Sequence, residues 1–147
     1  MVNWKENILT TSDEIRDLLA ATKTIAVLGI KPESHSSQPA FYVPKYMADA
    51  GYDIIPVPVY YPEVTEILGK AVYHGLNDIE GDVDMVNVFR RSEDVPKHTQ
   101  EILAKKPKAV WFQLGIRNDE VAEQLAAAGI KVVQDRCLLV EHRGMVS

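Results

Sequence analysis

The residues best placed to do chemistry follow a short apolar run in TIAVLGIKPESHSSQP, residues 24–39. A residue without Cβ, here Gly29, lets a phosphate approach the backbone, and the positive end of a following helix attracts its charge. Lys31 supplies a cation, and hydroxyl donors come from three serines, Ser34, Ser36 and Ser37. A serine-rich loop is also common without any ligand. The succession of strand, glycine, loop and helix favours phosphate binding.

Two adjacent arginines form a local basic patch. Arg90 and Arg91 follow the run DMVNVF directly. Arginine pairs with phosphate through two parallel hydrogen bonds, so a phosphorylated ligand is a natural partner. The alternative is that one arginine forms a salt bridge with Glu93 or Asp94 while the other is solvated.

Several nucleotide motifs are absent. GIKPES lacks the G-x-G-x-x-G spacing, and the second strand ends in PVPV without an acid for a ribose hydroxyl. A nicotinamide or flavin cofactor is therefore disfavoured. The G-x-x-x-x-G-K-[ST] pattern of an ATP-binding P-loop is also missing.

No catalytic or metal-binding constellation is evident. The histidines are scattered without metal-ligand spacing, at His35, His74, His98 and His142. Cys137 could act as a nucleophile, since nearby Arg136 and His142 could lower its thiol pKa. A lone cysteine near a strand end is more often a small, semi-buried apolar residue. We therefore predict no metal site and no catalytic residue.

The elements that position these residues alternate between strands and helices. Thr11 or Ser12 caps a leading helix, and a second helix spans about 38–50. Strands are expected at TIAVLGI, at YDIIPVPV ending near Val57, at about 83–89, at KAVWFQLG and at IKVVQ. Further helices begin at Ser92, after Asn118 and over 137–143, while 59–80 is irregular with one helical turn at EILG. The predicted fold is α/β: a Rossmann-like, doubly wound parallel sheet of about five strands, in three layers, with an N-terminal helix.

Ligands of such sheets bind at the carboxyl ends of the strands, where strand order reverses. Four strand ends therefore define the candidate site: Gly29, Ile30 and Lys31; Val57 and Pro58; Phe89, Arg90 and Arg91; and Gln113, Leu114 and Gly115.

Length and composition limit the function classes. The 147 residues predict one domain over 1–147, with a core of about 12–143. The net charge of −5 argues against a nucleic-acid partner, and no apolar run is long enough to span a membrane. The first residues lack a signal-peptide pattern. One cysteine permits no internal disulfide, which fits a cytoplasmic location.

Five segments together resemble one family: TIAVLGIKP, GYDIIPVPVYY, EILGKAVYHGLNDI, DMVNVFRRSEDVP and the stretch from KAVWFQLG to LLVEH. They are similar to the small, single-domain CoA-binding proteins, and to the N-terminal CoA-binding domain of the succinyl-CoA synthetase alpha subunit. The likeness covers about residues 12–143. The sequence departs from it after the second strand, where PVPVYYPEV replaces the common PVNP.

The resemblance implies that CoA lies across the carboxyl end of the sheet. The loop from Gly29 through Pro32 to Ser37 would contact the pyrophosphate, with Val57 and Pro58 beside the adenine or ribose. Phe89, Arg90 and Arg91 would line the next edge, and Gln113 to Gly115 would lie near the pantetheine.

Three hypotheses follow. The first is a non-catalytic binding or regulatory module for CoA or an acyl-CoA. The second is an enzyme of acyl or thiol exchange on a CoA thioester, using Cys137 with His142. The third is a nucleotide-binding or interaction domain that has lost its ligand. A protein partner or a homo-oligomer is compatible with each.

Overall fold

The computed structural model describes residues 3–146. Its α-helices are Ser12–Ala21 (α1), Pro39–Asp49 (α2), Thr99–Lys105 (α3), Asp119–Ala127 (α4) and Leu138–Val146 (α5). The strands are Thr24–Leu28 (β1), Asp53–Val57 (β2), Glu66–Ile67 (β3), Lys70–Ala71 (β4), Met85–Val88 (β5), Ala109–Phe112 (β6) and Lys131–Val133 (β7). Short 3-10 helices cover Trp4–Asn7, Glu33–His35, Leu76–Asp78 and Ser92–His98.

Five parallel strands form the central sheet in the order β2-β1-β5-β6-β7. Residues of α3 and α4 pack on one face, and residues of α1, α2 and α5 pack on the other. Apolar side chains on both faces explain why the strands are nearly continuous apolar runs. The predicted Rossmann-like α/β fold is confirmed. Strand order reverses between β1 and β5, so their carboxyl ends form the topological switch point.

The N-terminal helix begins as its sequence predicts. Thr11 is the N-cap of α1, and its side chain accepts from the Glu14 backbone while Glu14 accepts from the Thr11 backbone. The backbone N–H of Thr10 also donates to the Glu14 carboxylate. The hydrogen bonds from Thr11 and Thr10 hold the pKa of Glu14 below its ordinary value. Asn118 caps α4 in a similar way, by accepting from the Val121 backbone.

The helix predicted to begin at Ser92 is divided. Residues 92–98 form a 3-10 helix, and the α-helix starts only at Thr99. Pro96 accounts for the difference, because proline has no N–H for an α-helical bond and its ring clashes with the carbonyl four residues earlier. The last helix, predicted over 137–143, instead spans Leu138–Val146.

The helical turn predicted at EILG is wrong. Strands β3 and β4 pair as an antiparallel hairpin, with Ile67 opposite Lys70. Leu68 and Gly69 form the connection, with φ values of 55° and 74°. Two residues of positive φ match the twist of a tight hairpin, which a helical turn cannot accommodate.

Each edge of the central sheet is partly covered by another segment of the chain. The N–H of Tyr73 donates to the carbonyl oxygen of Pro56 in edge strand β2 at 2.9 Å. At the opposite edge, Ile8 forms a parallel bridge with Val132 of β7, and Leu9 N–H donates to Val132 at 2.9 Å. Within residues 3–146, no helix has the length and apolar character needed to cross a membrane.

Candidate functional site

Two adjoining depressions lie over the carboxyl ends of the sheet strands, and together we name them the switch-point cleft. The first, of about 190 Å³, is lined by Gly29, Ile30, Lys31, Val59, Tyr60, Tyr61, Phe89, Arg90 and Arg91. The second, of about 550 Å³, is lined by Lys31, Gln38, Pro39, Ala40, Phe89, Arg90, Arg91, Ser92, Glu93, Gln113, Leu114, Gly115 and Ile116. Four residues line both parts: Lys31, Phe89, Arg90 and Arg91.

Nine of the residues predicted from strand ends line this cleft: Gly29, Ile30, Lys31, Phe89, Arg90, Arg91, Gln113, Leu114 and Gly115. Five others do not line either part. Pro32, Val57 and Pro58 are buried, whereas Ser36 and Ser37 are exposed. Their contact with a ligand stays a prediction.

Gly29 is required by the protein's own backbone. Its φ is +93°, and a Cβ built on it lies 2.3 Å from the carbonyl oxygen of Phe89. Its N–H donates to Val57 in β2 at 2.9 Å, so this residue links three neighbouring strands. The close approach of the backbone after β1 to the backbone after β5 therefore requires a residue without Cβ at this position, whether or not a ligand binds here.

Arg90 is a fixed cation inside the cleft wall. Its side chain is 10% exposed, and its Nε donates to His98 Nε2 at 3.1 Å. One terminal nitrogen donates to the Tyr60 hydroxyl at 3.3 Å, and the other lies 3.7 Å from Asp94. These contacts hold the guanidinium in one orientation before any ligand arrives.

His98 connects Arg90 to a carboxylate behind it. An arginine Nε can only donate, so His98 Nε2 accepts and the ring proton lies on Nδ1. That nitrogen is 2.6 Å from Glu101 Oε1, and Leu76 N–H donates to Glu101 Oε2 at 3.2 Å. The hydrogen bond from His98 holds the pKa of Glu101 below its ordinary value of 4.5.

Arg91 is, by contrast, an exposed cation at the rim. Its side chain is 74% exposed, and it contacts Asp94 at 3.1 Å and Glu93 at 3.4 Å. Lys97 also binds Asp94, and the hydrogen bonds from Lys97 and Arg91 hold the pKa of the Asp94 carboxyl below its usual range. The Arg91–Glu93 pair is exposed and contributes little free energy, and the buried Asp94 would keep Lys97 and Arg90 as partners, so Arg91 can exchange these contacts for a ligand.

Tyr60 contributes an aromatic surface that strand-end reasoning missed. Its ring centroid is 5.3 Å from the Arg90 guanidinium carbon, and its side chain is largely exposed. The hydrogen bond from Arg90 lowers the pKa of the Tyr60 hydroxyl. The adjacent aromatic pair in PVYYP was the available signal, because aromatic rings can stack on a base or on arginine.

The loop after β1 is tied to its surroundings by its own polar residues. Ser34 Oγ lies 3.0 Å from His35 Nδ1, and the Tyr61 hydroxyl lies 3.3 Å from His35 Nε2. Glu33 accepts from the hairpin N–H of Leu68 at 2.9 Å. This loop is therefore held against residues 61–68 as well as against the sheet.

The amino end of α2 opens into the second part of the cleft. Gln38, the N-cap residue, accepts a hydrogen bond from Lys31 Nζ through its side chain. Pro39 and Ala40 form the first helical positions and line the cleft. The positive end of an 11-residue helix thus lies beside the Lys31 ammonium. Anions are stabilised at such a position.

Cys137 and His142, suggested above as a nucleophile and its partner, face different surroundings. Cys137 is half-buried and its carbonyl accepts from Glu141, which places it at the start of α5. The His142 ring lies 2.9 Å from the Tyr46 hydroxyl and contacts Tyr52 edge-on. The histidine is occupied by tyrosines rather than by the thiol.

The chain belongs to the CoA binding domain family, CoA_binding_2, whose sequence pattern matches residues 23–143. The resemblance found in the sequence is thereby confirmed. The uncharacterized protein YneT of Bacillus subtilis (strain 168) is 39% identical over 129 residues, which is 88% of this chain and 92% of that protein.

Solved structures show the same architecture. A protein described as cell-free ID.343 from Thermus thermophilus is 40% identical, with a TM-score of 0.84 over 92% of this chain and 99% of that one. A hypothetical protein from Pyrococcus horikoshii OT3 is 30% identical, with a TM-score of 0.83 over 94% of each chain.

Proposed function

We propose that this protein binds CoA or an acyl-CoA in the switch-point cleft and acts as a binding or regulatory module without catalysis of its own. The observation that carries the proposal is the grouping of Lys31, Arg90 and Arg91 around one cleft at the switch point. CoA carries a pyrophosphate and a 3′-phosphate, and each needs cations or backbone donors. Family membership supports the same ligand.

The parts of the cleft match the parts of CoA. The cations and the amino end of α2 provide the anion-binding side, and Tyr60 offers a surface for the adenine. Leu114 and Ile116 provide an apolar side at the end of β6 for the pantetheine arm. With a single cysteine and no internal disulfide, we place the protein in the cytoplasm.

A calorimetric titration with CoA, acetyl-CoA, NAD and ATP tests the proposal. We expect CoA or acetyl-CoA to bind more tightly than NAD and ATP, because only the CoA compounds carry both the 3′-phosphate and the pantetheine arm. The absence of heat with CoA at near-millimolar protein, or tighter binding of NAD, would refute it.

A further inference from the structure

A cluster of buried amide groups lies beneath the cleft, where β5 and β6 end. Asn87 Nδ2 donates to the Trp111 carbonyl oxygen at 3.2 Å and to Gln113 Oε1 at 3.4 Å. The backbone N–H of Leu138, at the start of α5, donates to the same Oε1 at 3.4 Å. The Trp111 carbonyl can only accept, so the nitrogen of Asn87 must face it. Because Asn87 Nδ2 and Leu138 N–H both donate, the atom of Gln113 that faces them is its oxygen. These contacts therefore orient both side-chain amides.

This arrangement leaves the side-chain nitrogen of Gln113, with its two N–H donors, without an acceptor. The Gln113 residue is 3% exposed and lines the cleft, while its Oε1 already receives two donors. Across residues 3–146, Gln113 Nε2 makes no hydrogen bond to the protein. The side-chain polar atoms there that lack both a partner and solvent are Asn87 Oδ1 and Thr99 Oγ1. Gln113 Nε2 is not one of them, so it keeps access to solvent, and the cleft is the cavity that Gln113 lines.

We infer that Gln113 is a carbonyl-recognition residue, and that the ligand places a neutral oxygen acceptor, an amide or thioester carbonyl, against its Nε2. This inference rests on the proposed function and deepens it. The cations of the cleft lie at the ends of β1 and β5, whereas the end of β6 offers a neutral donor beside Leu114 and Ile116. Ligand pockets are typically lined by apolar side chains, and a few precisely positioned polar groups fix the orientation of the ligand.

The pantetheine arm supplies acceptors of this kind. Every CoA compound has two amide carbonyls in that arm, and an acyl-CoA adds a thioester carbonyl. Asn87 does not line the cleft and acts through Gln113, which makes it a positioning residue. Without its Nδ2, the Gln113 amide could turn over and present its oxygen, which would repel a carbonyl.

The test compares two ligands in the Gln113→Glu variant. Glutamate keeps the side-chain shape and the acceptor for Asn87 and Leu138, but it replaces the cleft-facing donor with an oxygen. We expect CoA affinity to fall by about tenfold or more, as is typical when a buried polar contact is lost. Because glutamate also adds a negative charge that repels any anion in the cleft, the uncharged Gln113→Met variant is measured beside it. Adenosine 3′,5′-bisphosphate, which lacks the pantetheine arm, should bind Gln113→Met and the parent equally, whereas CoA should bind Gln113→Met more weakly. In Gln113→Met, equal losses for the bisphosphate and for the CoA compounds, or no loss for either CoA or acetyl-CoA, would overturn the inference.

Acetyl-CoA distinguishes the two possible carbonyls. A similar loss for CoA and acetyl-CoA assigns the acceptor to a pantetheine amide, and a loss confined to acetyl-CoA assigns it to the thioester. If the parent binds both the bisphosphate and CoA, and the variant binds the CoA compounds as tightly as the parent does, only the role of Gln113 is refuted. A parent protein that binds neither ligand refutes the proposed function as well.

A second measurement does not depend on the variant folding. In the ¹⁵N-labelled parent, the side-chain amide resonances of Gln113 should shift on addition of CoA and stay in place with the bisphosphate. Asn87→Leu should weaken CoA binding several-fold and leave bisphosphate binding unchanged. A Gln113 amide unmoved by saturating CoA and by saturating acetyl-CoA, or an equal effect of Asn87→Leu on the CoA compounds and the bisphosphate, would contradict the proposal.

Discussion

The backbones of Gly29 and Phe89 approach so closely that a Cβ on Gly29 would lie 2.3 Å from the Phe89 carbonyl oxygen. Real Cβ atoms do not come this near to a backbone oxygen, so either β1 or β5 would have to move. Both residues line the first part of the switch-point cleft. The spacing of the cleft walls therefore depends on this contact.

Gly29→Ala should destabilise the protein more than the same substitution at a glycine that has a similar φ but has no neighbouring atoms where the Cβ would be placed. Gly129 is the matched control, because its φ is +89° and a Cβ placed there would have nothing within 4 Å. We expect Gly129→Ala to lower the free energy of unfolding by about 1–2 kcal/mol from the positive φ alone. Gly29→Ala should lose about 1–3 kcal/mol more from overpacking. Equal losses in urea unfolding would contradict this account.

Arg91→Ala should weaken CoA binding without affecting folding. The exposed Arg91 can reach a phosphate, so we expect roughly a tenfold loss of affinity. The free energy of unfolding should change by no more than about 0.5 kcal/mol. Arg16→Ala is the control, since Arg16 is also exposed and ion-paired, at 3.4 Å from Asp13 on α1.

Dephospho-CoA identifies which phosphate Arg91 serves. A smaller loss with dephospho-CoA than with CoA indicates the 3′-phosphate, and an equal loss indicates the pyrophosphate. Unchanged CoA affinity in Arg91→Ala would show that this arginine is only a solvated rim residue.

Glu101 should make stability depend on pH in the acid range. Its pKa is lower in the folded protein than the ordinary 4.5, so its contribution is fully present above about pH 4.5 and is lost as the pH falls through the folded value. Glu101→Gln cannot titrate, and its unfolding curve should converge on that of the parent in acid. Glu80→Gln, an exposed site, controls for the loss of one charge. A constant difference between parent and Glu101→Gln at every pH would contradict the assignment.

The thiol of Cys137 should react slowly. It is half-buried and packs against the core cluster on the α5 side of the sheet, and His142 is bonded to Tyr46 instead. We expect iodoacetamide at pH 7 to label Cys137 more slowly than it labels glutathione, followed as a mass increase. The urea-unfolded chain should label at about the glutathione rate. Faster labelling of the folded protein would favour the thiol-exchange enzyme.

The central sheet was predictable because its strands have apolar residues on both faces. β5 and β6 are buried throughout and consist almost entirely of apolar residues. The hairpin at residues 66–71 could not be predicted in the same way. Its turn places Leu68 at positive φ, which a leucine rarely adopts and which tertiary contacts such as Glu33 to Leu68 N–H support.

The site was predictable at the strand ends and less so beyond them. The rule that ligands bind at the carboxyl ends of parallel strands located Lys31, Arg90 and Gln113 in one cleft. The sequence alone does not distinguish the roles of Arg90 and Arg91, because both directly follow the same strand. Only the 3-10 helix, which brings Asp94 and His98 back to Arg90, makes one arginine fixed and leaves the other exposed.

The partly covered edges of the sheet affect how two copies of this protein could associate. An open edge strand is a template on which another chain can polymerise. Here Tyr73 occupies part of the β2 edge, where Pro56 also lacks a donor, and Ile8 and Leu9 occupy part of the β7 edge. Joining the sheets of two copies edge to edge would therefore require these segments to leave the strands they now contact.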